Sequence, residues 1–397
     1  MKSAATILKN WSINSRIGSR RGSRIESHGG IDWVLFFTVL ALVVFGLVML
    51  YSASFIFAQE RMGDGLGLIK KQMIFAVLGF GAMWATARLD YRKWSQWGYW
   101  VLGLALLLLA LVLVPGVGAR VGGAQRWLRL GFFNFQPGEF AKFAVLIFVA
   151  RQLDLKSDRL HLYRVGILGP LLMSLPAMLL WLAQPDFGTT AMICLVILMM
   201  LYLAGVSQKQ LGLTLMAVGA VGAWLILGTA YRRARLMTFL SPWDDPGGKG
   251  FQILQSLLGF YHGSLFGVGL GNGKEKLFYL PEAHNDFIFA VIGEELGWVG
   301  ITAVVAAICY FIYRGLKISW KCYVDRSDRF GMLLGSGITL ALGVQGLVNM
   351  AVALGLLPTK GLTLPFISYG GSALVVDLFA VGILLSISRG TYSKKRK

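Results

Sequence analysis

The sequence predicts an all-α polytopic membrane protein, with about ten transmembrane helices and one large extracytoplasmic loop between helices 7 and 8. Hydrophobic residues make up 56% of the 397-residue chain and charged residues only 14%, whereas a soluble domain has about 25% charged residues. The apolar residues come in blocks of roughly 18 to 22, the length of a helix that crosses about 30 Å of hydrocarbon. The blocks are continuously apolar rather than alternating, which excludes a barrel with a polar lumen.

The net charge of +19 does not indicate nucleic-acid binding, because the charges cluster at the ends of the apolar blocks. That position is the one that membrane orientation requires. The three cysteines, Cys194, Cys309 and Cys322, have neither the spacing of a metal site nor a convincing disulfide pairing.

Ten of the apolar blocks are long and apolar enough to predict membrane spans. They lie near residues 32–53, 70–88, 97–115, 137–152, 166–184, 188–206, 209–230, 286–314, 331–357 and 367–388. Residues 1–31 and 391–397 are predicted to be basic tails, the first of them flexible because "RIGSRRGSR" has no apolar period. The first tail could also contact anionic lipid or a cytoplasmic partner, but a topology signal in a disordered tail is the favoured interpretation.

The lysines and arginines predict that both termini are cytoplasmic. With the N-terminus inside, the inner segments hold about 23 of the 38 basic residues, as the positive-inside rule requires. The loop at about 231–285 is then external, and loops of this length are usually functional. Its middle, from Phe251 to Tyr261, has apolar residues at helical spacing and predicts a helix lying on the outer face.

The stretch "YLPEAHNDFIFAVIGEELG" places Glu282, His284 and Asp286 where this loop meets the eighth span. Asn285-Asp286 fits a helix N-cap. A carboxylate facing a partly desolvated cavity is also suited to act as a general base, and the two interpretations are compatible. Glu282 and His284 could bind substrate or orient Asp286. Deeper in the span, Glu294 and Glu295 indicate either a functional site or a structural ion pair.

Further polar clusters lie on the same side of the predicted membrane. "QPGEFAK" places Glu139 and Lys142 three residues apart on one helical face, as a phosphate-binding site or as a structural pair. Arg126 precedes that span and Lys276 lies in the large loop, and both could meet a phosphate. "AQPDFGTT" and "LPFISYGGSA" add Asp186 and Ser368. The expected substrate has an anionic head and an apolar tail.

Five motifs in order resemble the SEDS family (shape, elongation, division and sporulation): "QPGEFAK", "AQPDFGTT", "SPWDDPGGKGFQILQS", "YLPEAHNDFIFAVIGEELG" and "LPFISYGGSALV". The resemblance covers roughly residues 32 to 390, and it is stronger to the division branch than to the elongation branch. It implies a bacterial inner-membrane enzyme of the division septum that polymerises lipid II into glycan strands, with Asp286 as the catalytic carboxylate. The implied partner is a class B penicillin-binding protein, together with other division proteins.

The chemistry implied by the resemblance is an inverting glycosyl transfer that releases undecaprenyl pyrophosphate. Cofactors are not firmly implied, although a divalent cation, Mg²⁺ or Mn²⁺, could assist the leaving group, as could Arg126, Lys142 or Lys276. Two alternatives stay open at this point: a transporter that flips lipid II, since intramembrane acids are typical of transporters, and a scaffold without enzymatic activity.

Overall fold

The computed structural model of the protein describes residues 30–121, 124–131, 133–248, 250–276, 280, 283–359 and 361–390. Within these ranges residues 31–390 belong to one compact unit. The two predicted basic tails, apart from Gly30 and Ile31, lie outside the described residues, and so does Glu282.

The described chain is dominated by α-helices. We number them α1 (Trp33–Met62), α2 (Gly67–Arg88), α3 (Arg92–Leu113), α4 (Pro137–Leu155), α5 (Gly169–Ala183), α6 (Phe187–Leu203), α7 (Gln208–Leu227), α8 (Ala230–Leu240), α9 (Phe251–Gly263), α10 (Ile288–Arg326), α11 (Arg329–Ala353) and α12 (Ser372–Arg389). One π-helical turn, Arg164–Leu168, leads into α5.

Each of the ten predicted spans has a helix at its place, namely α1–α7 and α10–α12. Eight of them, counting α5 with its π-helical turn, are long and apolar enough to cross a membrane. The other two are α6, which has only 17 residues, and α4, which carries Glu139, Lys142, Arg151 and Asp154. The prediction of a multi-pass helical membrane protein is confirmed.

Ion pairs connect the helices at the end of the bundle where α1 begins and α12 ends. We call this end the basal end. Asp32 caps α1 by accepting a hydrogen bond from the Leu35 amide and pairs with Arg314 of α10 at 2.8 Å. Ser388, in the last turn of α12, accepts a hydrogen bond from the Asp32 amide. At the same end, Asp328 caps α11 and binds Arg92 at 3.0 Å. The opposite end is the cavity end.

A small antiparallel sheet, which the sequence did not indicate, connects α3 to α4 at the cavity end. Its strands are β1 (Gly118–Val121), β2 (Ala124–Leu130) and β3 (Phe133–Phe135), in the order β1-β2-β3. Leu128 of β2 is paired with Gly118 on one side and Phe135 on the other. The sheet is short, but it gives Arg126 a fixed position on β2.

Two α-helices and a 3-10 turn, Pro242–Asp244, lie in the described part of the large loop. The predicted helix is confirmed as α9, which turns Ile253, Leu254 and Phe260 inward and packs against α10. Ser256 of α9 donates a hydrogen bond to the Ala353 carbonyl of α11 at 2.6 Å. The second helix, α8, was not predicted. Its sequence, AYRRARLMTFL, contains three arginines, and all of its residues are at least partly exposed.

Helix α10 is broken at Gly297, whose φ of 64° and ψ of −161° are not helical. Only glycine adopts this conformation readily. The loop at residues 264–270, which we call the inserted loop, fills the gap. Val268 and Gly269 donate to the carbonyls of Glu294 and Glu295, and the amides of Trp298 and Val299 donate to Ser264 and Leu265. The break therefore leaves these backbone groups hydrogen-bonded.

Candidate active site

Asp286 lies in a turn, residues 283–287, that leads into α10. The helix begins at Ile288, and the N-cap position is taken by Phe287, which makes no side-chain capping bond. The expectation that Asn285-Asp286 forms the N-cap is therefore corrected: the acid stands outside the helix, in the preceding turn. Asp286 is partly exposed and lines a large cavity.

Three consecutive carbonyls hold this turn in place. The carbonyl of His284 accepts a hydrogen bond from the Tyr369 amide at 3.1 Å. That of Asn285 accepts one from Ser368 Oγ at 2.7 Å, and that of Asp286 accepts one from Asn349 Nδ2 at 2.9 Å. The structure thus places Ser368, expected at the substrate, beneath the turn that carries Asp286.

His284 lies on the inner side of the same turn. Its ring is buried, 4.9 Å from the ring of Phe57 on α1 and 6.1 Å from that of Tyr369. It does not line the cavity that Asp286 faces. This packing joins the turn to α1 and favours a positioning role for His284.

The cavity has a volume of about 1440 Å³. Its walls come from β2, from α2, α6, α7, α8 and α12, and from the segment at 358–363. Basic and acidic side chains share the lining: Lys71, Arg126, Asp186, Arg232, Arg235 and Asp286. Another part of the wall is apolar and includes Ile74, Leu78 and Ile226. The cavity can therefore receive a molecule with an anionic head and an apolar tail.

Arg126 is oriented by two backbone carbonyls at the start of α6. Its Nε donates to Gln184 O at 3.0 Å and its Nη2 to Pro185 O at 2.5 Å. A Cβ built on Gly361 would lie 3.9 Å from Arg126 Nη1 and 3.5 Å from Asp286 Oδ2. The guanidinium and the carboxylate therefore approach the same point on the cavity wall, where the absence of a side chain at 361 leaves room.

Asp186 lines the cavity but also caps α6. Its Oδ1 accepts from the Thr189 amide at 3.2 Å and its Oδ2 from Thr189 Oγ1 at 2.8 Å. These bonds take up one lone pair on each oxygen. Asp186 therefore stabilises the start of α6, whether or not it also contacts substrate.

Three basic residues of the cavity were not singled out from the sequence: Lys71, Arg232 and Arg235. Arg235 donates to the Thr359 carbonyl at 3.2 Å, and the Arg232 guanidinium lies 5.4 Å from the centre of the Phe187 ring. The sequence signal was the run YRRAR directly after the seventh span. A helix at this point turns residues 232 and 235 to one side.

Glu139 and Lys142 form a buried pair inside the bundle and do not line the cavity. Lys142 is 1% exposed, with Nζ 2.6 Å from Glu139 Oε2 and 2.5 Å from Gln345 Oε1. Gln345 Nε2 donates to the carbonyl of Thr363, a residue of the cavity wall. The pair therefore supports the wall from behind.

Lys276 is also in a buried pair away from the cavity lining. Its Nζ lies 2.6 Å from Glu295 Oε1 and 3.0 Å from Ser52 Oγ of α1. Glu294 accepts hydrogen bonds from the amides of Lys274 and Glu275. Burial and the neighbouring Glu294 raise the pKa of Glu275 to about 7. Of the two deep acids, Glu295 makes the ion pair and Glu294 holds the loop backbone.

The described residues contain no group of three or more His, Cys, Asp or Glu side chains that could hold a metal ion. Among the described residues, the acids that line the cavity are Asp186 and Asp286, and they belong to different walls. We assign no step to a divalent cation.

Comparison with known proteins extends over nearly the whole chain. A family model described as a cell cycle protein, FtsW/RodA/SpoVE, matches residues 32–393. A probable peptidoglycan glycosyltransferase FtsW of Geobacter sulfurreducens is 44% identical over 367 residues, 92% of this chain and 97% of the relative. A protein of the same description from Trichlorobacter lovleyi is 45% identical over 360 residues, 90% of this chain and 93% of the relative.

Solved structures share the fold. A chain of a peptidoglycan synthase complex that coordinates polymerization and crosslinking has a TM-score of 0.75 and 32% identity, covering 91% of this chain and 99% of that one. The rod shape determining protein RodA of Thermus thermophilus has a TM-score of 0.67 and 30% identity, covering 91% and 98%. The match spans every membrane helix described above, and the chain belongs to the FtsW/RodA/SpoVE family of cell cycle proteins, the SEDS family.

Proposed function

We propose that this protein is the peptidoglycan glycosyltransferase that polymerises lipid II at the division septum, with Asp286 as its general base. The relatives that match over nine tenths of the chain are named as probable peptidoglycan glycosyltransferases, which supports the reaction class. The position of Asp286 carries the residue assignment. Its Oδ2 and Arg126 Nη1 both lie near Gly361, on the wall of a cavity that cationic side chains line.

In the proposed reaction Asp286 removes the proton from the 4-hydroxyl of the acceptor N-acetylglucosamine. The hydroxyl oxygen forms a bond to the anomeric carbon of the donor N-acetylmuramic acid, on the face opposite the leaving group. The bond from that carbon to the pyrophosphate oxygen breaks, and its electron pair leaves with undecaprenyl pyrophosphate. The configuration is inverted, and the Asp286 proton is then lost to water.

The charge that develops on the pyrophosphate must be met by cations in the cavity. We assign this role to Arg126, Arg232 and Arg235, with Lys71 on the neighbouring wall, because all four line the cavity. Guanidinium groups bind phosphate oxygens in a bidentate manner. Lys142 and Lys276 are left out of this role because their ammonium groups lie in buried ion pairs.

The depth of the site fits a substrate that is anchored in the membrane. Asn349, which binds the Asp286 carbonyl, lies 21 residues beyond Asp328 at the basal end, which is about 31 Å along α11 at 1.5 Å per residue. A hydrocarbon layer is about 30 Å thick. This distance supports a position of Asp286 at the level of lipid headgroups, with the apolar part of the wall available to the prenyl tail.

The proposal includes a cellular setting. Both termini are cytoplasmic, the cavity end faces outward, and the partner is a class B penicillin-binding protein that crosslinks the strands. The positive-inside distribution of Lys and Arg supports the orientation. Similarity to a chain from a complex that couples polymerization with crosslinking supports the partner.

The decisive experiment is polymerisation of labelled lipid II by the purified protein with its cognate penicillin-binding protein, whose transpeptidase is blocked. Wild type is compared with Asp286→Asn, which removes the base and keeps the shape of the side chain. Asp64→Asn is the matched control, because Asp64 pairs with Lys70 on the exposed surface near the same end. We expect strands from wild type and Asp64→Asn and none from Asp286→Asn.

All three proteins must elute as folded complexes with the partner for the comparison to count. If Asp286→Asn polymerises as fast as wild type, Asp286 is not the base. If none polymerises but wild type moves lipid II across vesicles, the protein is a transporter and the proposed reaction is wrong.

A further inference from the structure

The inserted loop, residues 264–270, carries an exposed apolar surface that the proposed reaction does not use. We propose that this loop lies within the lipid leaflet at the cavity end and contacts its acyl chains. The inference does not rest on the proposed function, since it concerns where the chain meets the bilayer.

The side chains of the loop are those expected of a lipid contact. Residues 263–273 read GSLFGVGLGNG and contain no ionisable group. Phe266 is 81% exposed and Leu265 61%. Trp298 and Val299, which follow the break in α10 and receive the loop, are also exposed. Together these residues form one apolar surface that is continuous with the outer face of a membrane-spanning helix.

The loop backbone is hydrogen-bonded where it meets α10, which lowers the cost of irregular structure at membrane depth. An unpaired amide or carbonyl in hydrocarbon costs several kcal/mol, so an irregular segment is tolerated there only if its polar groups are bound. Val268 and Gly269 donate to α10, Ser264 and Leu265 accept from it, and the Gly267 amide donates to the Gly263 carbonyl.

Glycine makes the pairing possible. Gly267 has a φ of +79°, and a Cβ at this position would lie 2.1 Å from the carbonyl oxygen of Glu295. On the opposite side of the contact, a Cβ at position 297 would lie 2.4 Å from the Gly267 amide nitrogen. The two backbones therefore approach more closely than any other pair of residue types would allow.

Two independent helices give the depth of the contact. Ser52 is bound to Glu295 beside the break, and it lies 20 residues from Asp32 at the basal end, about 30 Å along α1. Trp298 lies 16 residues from Arg314, the partner of Asp32, about 24 Å along α10. The two values put the loop between the outer part of a hydrocarbon layer of about 30 Å and its boundary with the headgroups.

The loop is consequently a re-entrant segment rather than a water-exposed connection. Because the loop is bonded to α10, its position in the leaflet also fixes the depth of the outer part of α10 and of the turn that precedes Ile288. The occupant of the apolar surface is lipid, and a protein partner at this surface is the competing outcome of the test.

The test places one spin label on the full-length protein in lipid vesicles, after Cys194, Cys309 and Cys322 are replaced by alanine. The probe sites are Phe266→Cys and, separately, Leu265→Cys. Val77→Cys is the lipid reference, because Val77 is exposed in the middle of α2. Met62→Cys is the water reference, because it ends α1 about 15 Å beyond Ser52. Collision rates with oxygen and with a nickel chelate are then measured.

We expect the ratio of oxygen to nickel collision rates at 266 and 265 to lie between the ratios at Val77 and Met62, as the outer part of the leaflet requires, and to exceed that at Met62 several-fold. A ratio equal to that at Met62 would show a water-exposed loop and overturn the proposal. Low rates with both reagents would show that protein covers the surface, which also overturns it. The two probe sites are independent, so a folding failure of one variant leaves the other to decide.

Discussion

At the scale of single residues, Arg126 shows how the fold prepares a cation for an anionic substrate. Two backbone carbonyls bind its Nε and Nη2, so the planar group is held before any ligand arrives. Its Nη1 is left near Gly361 and Asp286. A group that is fixed in this way loses little conformational entropy on binding a pyrophosphate.

Arg126→Lys should therefore lower kcat/KM for lipid II polymerisation although the charge is kept. Lysine cannot bind both carbonyls in the plane of a guanidinium, and charged hydrogen bonds of this kind contribute about 1.5–3 kcal/mol each. The expected loss is about 10- to 100-fold. The matched control is Arg129→Lys on the same strand, which is exposed and outside the cavity. An equal loss in both variants would contradict the assignment.

The sequence indicated which residues to expect at the site, and their roles stay predictions. Asp286 and Arg126 were expected at the site, and both line the cavity. For Lys142 and Lys276 the sequence gave charge and spacing but not the direction of the side chains. That direction depends on Gln345 and Ser52, which are more than 200 residues away along the chain.

At the scale of elements, α10 depends on contacts from outside the helix. Its first part is held by the inserted loop, by the amides of Lys274 and Glu275, and by the pair of Lys276 with Glu295. None of these contacts is visible as a local pattern. A glycine within an apolar block is common in membrane helices, so Gly297 gave no signal of a break, and the sheet strands were too short to show alternation.

Lys276→Met should destabilise the protein strongly, because Glu295 is 0% exposed and would remain buried without its cation. Removing one partner of a buried pair costs about 3–5 kcal/mol, whereas replacing both partners by apolar residues is often close to neutral. We expect the double variant Lys276→Met with Glu295→Met to regain most of the loss.

The measurement is the thermal midpoint of the purified protein in detergent. Lys70→Met is the control, since the pair of Lys70 and Asp64 is exposed to solvent and should contribute little to stability. A double variant that is less stable than Lys276→Met would show that the pair does not act as described.

At the scale of the whole molecule, a helix stands at the place of each predicted span, and eight of these helices are long and apolar enough to cross a membrane. The order followed from the sequence because hydrocarbon thickness imposes a length on a helix that crosses it. The assembly of the cavity did not follow, since its walls combine segments from residue 71 to residue 376. The contribution of α8 was missed for the same reason: its arginines acquire a role only once α2, α6 and α12 surround them.

The orientation of the whole bundle can be tested with two cysteines in a protein that lacks the native three. Asp64→Cys lies between α1 and α2 at the cavity end, and Leu162→Cys lies between α4 and α5. Both positions are exposed. In spheroplasts a membrane-impermeant maleimide should label residue 64 at once and residue 162 only after lysis. The reverse pattern would place the cavity in the cytoplasm.

The three bound carbonyls of residues 284–286 have a kinetic consequence for a polymerase. With each carbonyl anchored to a separate partner, on α11 or on the segment before α12, the turn that carries the proposed base, Asp286, cannot shift to follow a growing strand. In the proposed reaction each added disaccharide must therefore bring its terminal hydroxyl back to the same place. Elongation becomes a stepping motion of the glycan past a fixed point, and the length of one step is set by the sugar and not by the protein.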